Sequence, residues 1–274
     1  KSRKATIARI ATGDYDMIFM THDNLDMLQM KPEVIQEYIS EELKDIEAAM
    51  VEARRQEGDK SDKIVKKLEA KKEALSLTLK AALDATSKDD AMFFEELGID
   101  QLLVDEFHRY KSLPCTTHRQ MKGIPTSRAE RATQMDMMGR WLQNRNGDRG
   151  LIGATGTPVS NTMGELFNMQ RYFQKKLLKE RKISKFDQWA DTFGDVVSEM
   201  EFTPTGEYAN VARFAKFVNV QELMATARQF MDVQRAKVMT EADGSPTIIR
   251  PKRKDHAVVS QVGDVMTEFF THMK

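Results

Sequence analysis

Two short apolar runs, each followed by a chemically distinctive segment, constrain the fold of this chain most. Leu102-Leu-Val104 leads directly into the acids Asp105 and Glu106, and Leu151-Ile152 leads into a turn rich in glycine and threonine. Each run has the composition of a buried strand, and a helix-sized segment separates the two. Because strands alternate with helices here, the sequence predicts an α/β fold with a mostly parallel sheet.

The spacing of apolar residues predicts regions of different character. Apolar side chains recur at helical intervals on both sides of a polar segment in 33–85, which predicts an antiparallel hairpin of two amphipathic helices. A solvated arm and a lever that touches DNA or a partner both fit this hairpin. Residues 15–21 are a further predicted strand. The predicted division is an α/β part over 1–32 and 86–175, the hairpin over 33–85, a largely helical extension over 176–239, and a linker with the start of a further strand over 240–274.

Composition limits the function classes only weakly. The 42 basic and 42 acidic residues balance, so there is no global electrostatic case for a nucleic-acid binder. Cys115 is the only cysteine, which excludes disulfides within the chain and fits a reducing cytoplasm. No apolar run is long enough to span a membrane. A local basic run supplies candidates for contacts to DNA phosphates, although a solvated linker is the preferred interpretation of it: Arg250, Lys252, Arg253 and Lys254.

The two acids after the first run have the chemistry of a magnesium–nucleotide site. Asp105 would hold Mg²⁺, usually through water, because this ion keeps much of its hydration shell. Glu106 would orient or deprotonate the water that attacks the terminal phosphate, and His108 would face the same cleft. Two alternatives remain at this point. The acids end a strand at the surface without further function, or they serve a metal-dependent nuclease.

The turn after the second run is the other candidate element. Thr155-Gly-Thr-Pro158 combines a glycine, which gives backbone freedom, with a proline near the start of the next helix. Thr162 and Glu165 are predicted to cap that helix. The turn is therefore either a plain strand-to-helix connection or a place where two threonine hydroxyls approach the carboxylates.

Taken in order, these motifs resemble those of Swi/Snf-type superfamily-2 helicase ATPases. The segment 104–113 is similar to the pattern Asp-Glu-Ala-His-Arg-x-Lys-Asn, with Phe107 in place of alanine and Ser112 in place of asparagine. The segment 155–161 matches Thr-Gly-Thr-Pro-x-x-Asn at every fixed position. Further segments narrow the resemblance to the helicase–methyltransferase proteins of phages and mobile elements, the DarB-like antirestriction group: 13–22, 94–100, 169–173 and 213–217.

The resemblance implies a partial RecA-like (P-loop NTPase) parallel sheet, with ATP and Mg²⁺ as cofactors and double-stranded DNA as the partner. A DNA methyltransferase, fused or associated, is a further implied partner. Relatives of this type generally move along the duplex without separating its strands. The resemblance gives catalytic roles to Asp105, Glu106 and His108, and coupling roles to Thr155, Gly156, Thr157, Pro158, Asn161, Arg109 and Lys111.

One expected motif is absent from the sequence. A Walker A loop needs a Gly-Lys pair to cradle phosphates, and no Gly-Lys dipeptide occurs in the chain. The order of parts in the family predicts that the phosphate loop lies upstream of Lys1 and the second lobe downstream of Lys274. We therefore expect the chain by itself to hydrolyse ATP poorly or not at all. The competing hypothesis is an inert helical interaction or scaffold module of a larger DNA-processing protein.

Overall fold

The computed structural model describes residues 3–55, 59–85, 92–119, 124–126, 129–160, 162–202 and 208–234, together with residues 254, 256 and 263. The helices within these ranges are α1 (Arg3–Thr12), α2 (His22–Leu25), α3 (Pro32–Arg55), α4 (Asp59–Ala85), α5 (Glu130–Arg145), α6 (Gly164–Phe173), α7 (Lys175–Glu180), α8 (Phe186–Phe193) and α9 (Val220–Ala227). The strands are β1 (Leu102–Val104), β2 (Leu151–Gly153), β3 (Gly194–Phe202) and β4 (Tyr208–Phe217). Two short 3-10 helices lie at Phe94–Glu96 and Phe107–Tyr110.

The chain divides into two compact units. Unit 1 comprises Lys1–Val197 with Ala212–Val220, and unit 2 comprises Ser198–Val211 with Gln221–Lys274. Strand β1 pairs in parallel with β2, and β3 pairs with β4. The α/β class predicted from the two apolar runs is confirmed, in a chain that is richer in helix than in strand. None of the described helices has the length and apolar composition that crossing a membrane requires.

The strands β1 and β2 form where the sequence predicts them, and α5 covers one side of the pair. Leu151 is buried, and its side chain lies against Gly139 of α5, where any added side-chain carbon would come within 2.9 Å of it. Leu103, at the middle of β1, is 68% exposed. The pair therefore presents one buried side and one open side within the described residues.

The helical hairpin predicted over 33–85 is confirmed, with α3 starting at Pro32. Its seam buries Ile46 and Ala53 of α3 against Ile64 and Leu68 of α4. Ser61 donates a 2.6 Å hydrogen bond to the carbonyl oxygen of Ala53, near the tip where the two helices meet. Because each helix alone would expose its apolar stripe, mutual burial of the stripes is what stabilises the pair.

Two predictions about secondary structure are wrong. The segment 15–21 is irregular rather than a strand, and it exposes Tyr15, Met17 and Phe19. An apolar run becomes a strand only where another strand pairs with it, and none of the described residues does so here. The extension over 176–239, which the sequence predicts to be largely helical, contains the two long strands β3 and β4, and β3 begins directly where α8 ends. The adjacent β-branched residues that follow Gly194 favour the extended conformation.

Aromatic side chains from α6, α8 and β4 pack together in a cluster around Trp189. Trp189 is fully buried, and its ring packs against Phe167, Phe193 and Phe214. The indole N–H donates a 2.7 Å hydrogen bond to the buried side-chain oxygen of Gln170. The polar atom of the largest core side chain is therefore satisfied, as burial requires.

Candidate functional site

The parallel pairing of β1 with β2 brings the two sequence motifs side by side. Val104 is in register with Gly153, so the acid box (Asp105 to His108) and the threonine turn (Thr155 to Ser160) leave the sheet at the same edge. Two hydrogen bonds of 2.8 Å continue the pairing, from the Ala154 N–H to the Val104 oxygen and from the Phe107 N–H to the Ala154 oxygen. This edge is the carboxyl end of both strands, where open parallel sheets bind ligands.

Glu106 has an unusual backbone conformation. Its φ of 50° and ψ of 44° are left-handed, and it precedes the 3-10 helix Phe107–Tyr110. A residue other than glycine costs about 1–3 kcal/mol in such a region, and these outliers cluster at functional sites. The Glu106 N–H donates a 2.8 Å hydrogen bond to Oδ1 of Asp105, which fixes one carboxylate against the backbone of the next acid. Both acids are exposed.

His108 connects the acid box to the threonine turn. Its Nδ1 atom lies 3.1 Å from Oγ1 of Thr155 in a hydrogen bond and 3.0 Å from Oε2 of Glu106. Nδ1 can donate to Glu106 only in a form of the ring that carries a proton on this atom, because a carboxylate accepts. The imidazole thus touches one member of each motif at once.

The threonine turn is held mainly at its two ends. Oγ1 of Thr155 accepts a 3.1 Å hydrogen bond from the N–H of Thr157, which closes the start of the turn. Gly156 and Thr157 are exposed, and Pro158 is half-buried. Asn161 lies outside the described residues. Of the two threonine hydroxyls predicted to approach the acid box, that of Thr155 does so through His108.

The side chains of Arg109 and Lys111, which follow the acid box, contact different parts of the chain. Nζ of Lys111 forms a 3.2 Å ion pair with Oε1 of Glu165 and donates a hydrogen bond to Oγ of Ser160. The guanidinium of Arg109 instead lies 3.6 Å from Oδ1 of Asp23 in α2. Of these two basic residues, Lys111 is the one that contacts the threonine turn.

Glu165 is a residue of this site that the sequence reasoning missed. It was predicted only to cap α6, but its Oε2 accepts a 2.7 Å hydrogen bond from the N–H of Ser160 while Oε1 pairs with Lys111. Glu165 is nevertheless buried. Little in the sequence signals this role, because α6 also contains other polar residues among its apolar ones: Asn168, Gln170 and Arg171.

Phe107, which replaces the alanine of the family pattern, is part of the core under the site. Its ring packs at 5.0–5.6 Å, between ring centres, from those of Tyr110, Tyr172 and Phe173. Gly153 lies beneath the same ring, and a side-chain carbon at that position would come within 2.7 Å of Cγ of Phe107. The phenylalanine and the glycine are thus complementary in size.

The remaining predicted contacts concern metal and DNA. Within the described ranges, no group of three or more histidine, cysteine or acidic side chains is arranged to hold a metal ion. A Mg²⁺ ion bound by Asp105 would accordingly take most of its ligands from water and phosphate. Of the four basic DNA candidates, Lys254 is described and exposed, whereas Arg250, Lys252 and Arg253 lie outside the described residues.

Comparison with known proteins identifies the family of this chain. A family model described as a probable helicase domain matches residues 1–235, a range that contains both motifs of the site. The chain belongs to this helicase-domain family. It is also 23% identical over 256 residues to the "Defense against restriction protein B" of Escherichia phage P1. That alignment covers 92% of this chain and 11% of the relative, so the chain spans about one tenth of the relative's length. No solved structure matches the chain.

The helicase-family chain has a charged cleft away from the two motifs. The cleft of about 540 Å³ lies among α3, α7, α8 and the segment 115–118, and no residue of the acid box or the threonine turn lines it. Its lining includes Glu42, Arg140 and Arg171, which form a half-buried charge network. Opposite charges in this lining largely neutralise each other.

Cys115 borders this cleft and should be chemically inert in the folded chain. Burial raises the pKa of the Cys115 thiol, although the neighbouring Arg171 and Lys71 act in the opposite direction. A raised pKa leaves less thiolate at neutral pH, and the buried sulfur is also inaccessible to reagents. We expect Ellman's reagent to react at least about tenfold more slowly with the native protein than with protein unfolded in urea. Equal rates would contradict the buried position.

Proposed function

We propose that this chain contributes the magnesium-binding and coupling motifs of an ATP-dependent DNA translocase of the Swi/Snf type. The observation that carries the proposal is the hydrogen bond between His108 and Thr155, at the shared carboxyl edge of β1 and β2. The carboxylates and the hydroxyl-bearing turn come from segments that are far apart in the sequence. The two segments meet at the carboxyl end of a parallel strand pair, where open α/β sheets generally bind ligands. Two unrelated surface turns would have no reason to meet there.

Each residue has a physical role in this proposal. Asp105 would hold Mg²⁺ through water, because an exposed carboxylate is the kind of oxygen donor that this ion prefers. Glu106 would orient the attacking water, and its carboxylate lies 3.0 Å from Nδ1 of His108. ATP supplies the phosphoryl group. His108 and Thr155 relay the state of the acid box to the turn, because a shift of either side chain changes their shared hydrogen bond.

The remaining parts of the translocase would come from other segments. A phosphate-binding loop and a second lobe with an arginine are needed to complete phosphoryl transfer, and no Gly-Lys pair occurs in this chain. A RecA-like arrangement of the lobe, duplex DNA as the partner and an associated methyltransferase are parts of the same proposal. The membership of a helicase-domain family and the name of the phage P1 relative support the helicase-related part of this proposal.

The test measures ATP hydrolysis by the full-length protein, with and without duplex DNA, in its natural form and as Glu106→Gln. This substitution keeps the size and removes the charge of an exposed side chain, so the fold should be preserved. We expect DNA to stimulate hydrolysis and the substitution to lower stimulated turnover by at least about 100-fold, the usual scale for loss of a group that activates water.

The matched control is Glu180→Gln, which removes the charge of an exposed glutamate at the end of α7 and should leave turnover within about twofold of the natural protein. A natural protein that does not hydrolyse ATP, or a Glu106→Gln protein with unchanged turnover, would overturn the proposal. The interaction-module hypothesis would then be favoured. Magnesium-dependent cleavage of DNA that Glu106→Gln abolishes would favour the nuclease instead.

A further inference from the structure

The end of the threonine turn is held by a buried ion pair. Nζ of Lys111 and Oε1 of Glu165 are 3.2 Å apart, and their side chains are only 13% and 8% exposed. Ser160 lies between them, because its hydroxyl accepts from Lys111 and its backbone N–H donates to Glu165. The last residue of the turn therefore contacts both members of the pair, one through the side chain and one through the backbone.

Helix α6 supports both partners of this ion pair. Glu165 is in its first turn, and Asn168 follows one helical turn later on the same side. The buried amide of Asn168 donates hydrogen bonds of 2.8 and 2.9 Å to the carbonyl oxygens of Lys111 and Leu113. The backbone that carries Lys111 and the carboxylate that pairs with it are thus fixed to one rigid element.

Stability alone is a poor explanation for such a pair. Removing two charges from water costs free energy that their attraction only partly returns, and well-packed apolar side chains often stabilise a protein equally well. What an apolar pair cannot supply is two directed hydrogen bonds to Ser160. The specific effect of Lys111 and Glu165 is therefore on the geometry of the turn.

We infer that Glu165 is a positioning residue that, together with Lys111, holds the threonine turn in register with the acid box. The turn is attached at its start by the contact between Thr155 and His108 and at its end by the contacts of Ser160. Release of the far end lets the turn shift as a unit, and the hydrogen bond of Thr155 shifts with it. This inference rests on the proposed function, since it assigns the pair to coupling between ATP hydrolysis and DNA.

The decisive variant of the full-length protein is the double substitution Lys111→Met and Glu165→Leu. It replaces the ion pair with apolar side chains of similar size, so the thermal midpoint should stay near that of the natural protein. We expect DNA-stimulated kcat to fall roughly 10- to 100-fold, the scale of a small misplacement of reacting groups. The KM for ATP should change much less, because the role inferred for the pair is to position the turn and not to bind the nucleotide. Glu165→Gln, which keeps an acceptor for Ser160 without the charge, should show a smaller loss of kcat.

The matched control replaces another ion pair of unit 1, between Glu41 of α3 and Lys175 of α7, which are 3.0 Å apart. Glu41→Leu with Lys175→Met should leave the stimulated kcat unchanged. A stable Lys111→Met and Glu165→Leu protein that retains natural kcat would overturn the inference. So would an equal loss of kcat in the Glu41 and Lys175 control.

A second measurement separates this inference from the proposed function. Hydrogen exchange at the turn reports its position whether or not the protein hydrolyses ATP, because the Ser160 N–H loses its acceptor when Glu165 becomes leucine. We expect faster exchange over residues 155–160 in the double variant and unchanged exchange in the control. Faster exchange in a protein without ATPase activity would support the positioning role and overturn the translocase proposal. Unchanged exchange would overturn the positioning role itself.

Discussion

Truncation of Phe107 to alanine should lower the free energy of unfolding by about 3–5 kcal/mol. The ring is only 1% exposed, and it holds the 3-10 helix of the acid box against Tyr172 and Phe173 at the end of α6. Its removal leaves a cavity beneath the site that these aromatic neighbours fill only in part. Urea unfolding, followed by tryptophan fluorescence from Trp141 and Trp189, would measure the loss.

A companion substitution tests whether Phe107 and Gly153 are matched in size. In the natural protein Gly153→Ala forces a methyl group to within 2.7 Å of the Phe107 ring, which should cost about 1–3 kcal/mol by overpacking. In a Phe107→Ala background the contacts with the Phe107 ring are gone and the 3.0 Å approach to Cζ of Phe173 remains, so we expect that cost to fall. A double-mutant cycle measures the difference.

Additive effects in this cycle would show that the two positions do not share the same space. Phe19→Ala is the control for the loss of a ring, because Phe19 is 89% exposed and its removal should change the free energy of unfolding by less than about 0.5 kcal/mol. The same pair of positions bears on the difference between the acid box and the Swi/Snf-type pattern that it resembles. A phenylalanine replaces alanine in the acid box where a glycine in the next strand leaves room for the ring.

Replacement of Asp136 by alanine should lower the free energy of unfolding by about 3–5 kcal/mol. Asp136 is 1% exposed, accepts a 2.9 Å hydrogen bond from the Tyr38 hydroxyl and lies 2.7 Å from a guanidinium nitrogen of Arg140. Burial alone would lower the pKa of Arg140, but the negative charges of Asp136 and its neighbours raise it above the ordinary value. Loss of the carboxylate leaves a buried cation with only the weaker pairing of Glu41 and Glu42.

The Asp136 contacts also attach the hairpin to the rest of unit 1, because Tyr38 lies in α3 and Asp136 in α5. We therefore expect Asp136→Ala to accelerate hydrogen exchange in α3 more than in α6. Tyr38→Phe is the graded control, since it removes one hydrogen bond and should cost only about 1 kcal/mol. If Asp136→Ala and Tyr38→Phe were equally mild, the charge network would not be what holds the hairpin in place.

Local features of this chain could be predicted from its sequence because they depend on neighbours in the chain. Helical spacing of apolar residues predicted α3 and α4, and the two apolar runs predicted β1 and β2. The acid box and the threonine turn were also recognised, since each is a contiguous string. The segment 15–21 had the same local composition as a strand and yet formed none, because pairing depends on a partner that local composition does not specify.

Only the tertiary structure decided which distant residues meet. Glu165 is a helix-capping residue by position in the sequence, yet it pairs with Lys111 and binds the backbone of Ser160. The fit between Phe107 and Gly153 likewise depends on the parallel register of β1 with β2. The sequence by itself thus determined which side chains the two motifs carry, and it determined the helical hairpin. Strand register and the packing of α6 determined how the motifs are joined, because contacts between remote segments follow from burial and pairing in three dimensions rather than from spacing along the chain.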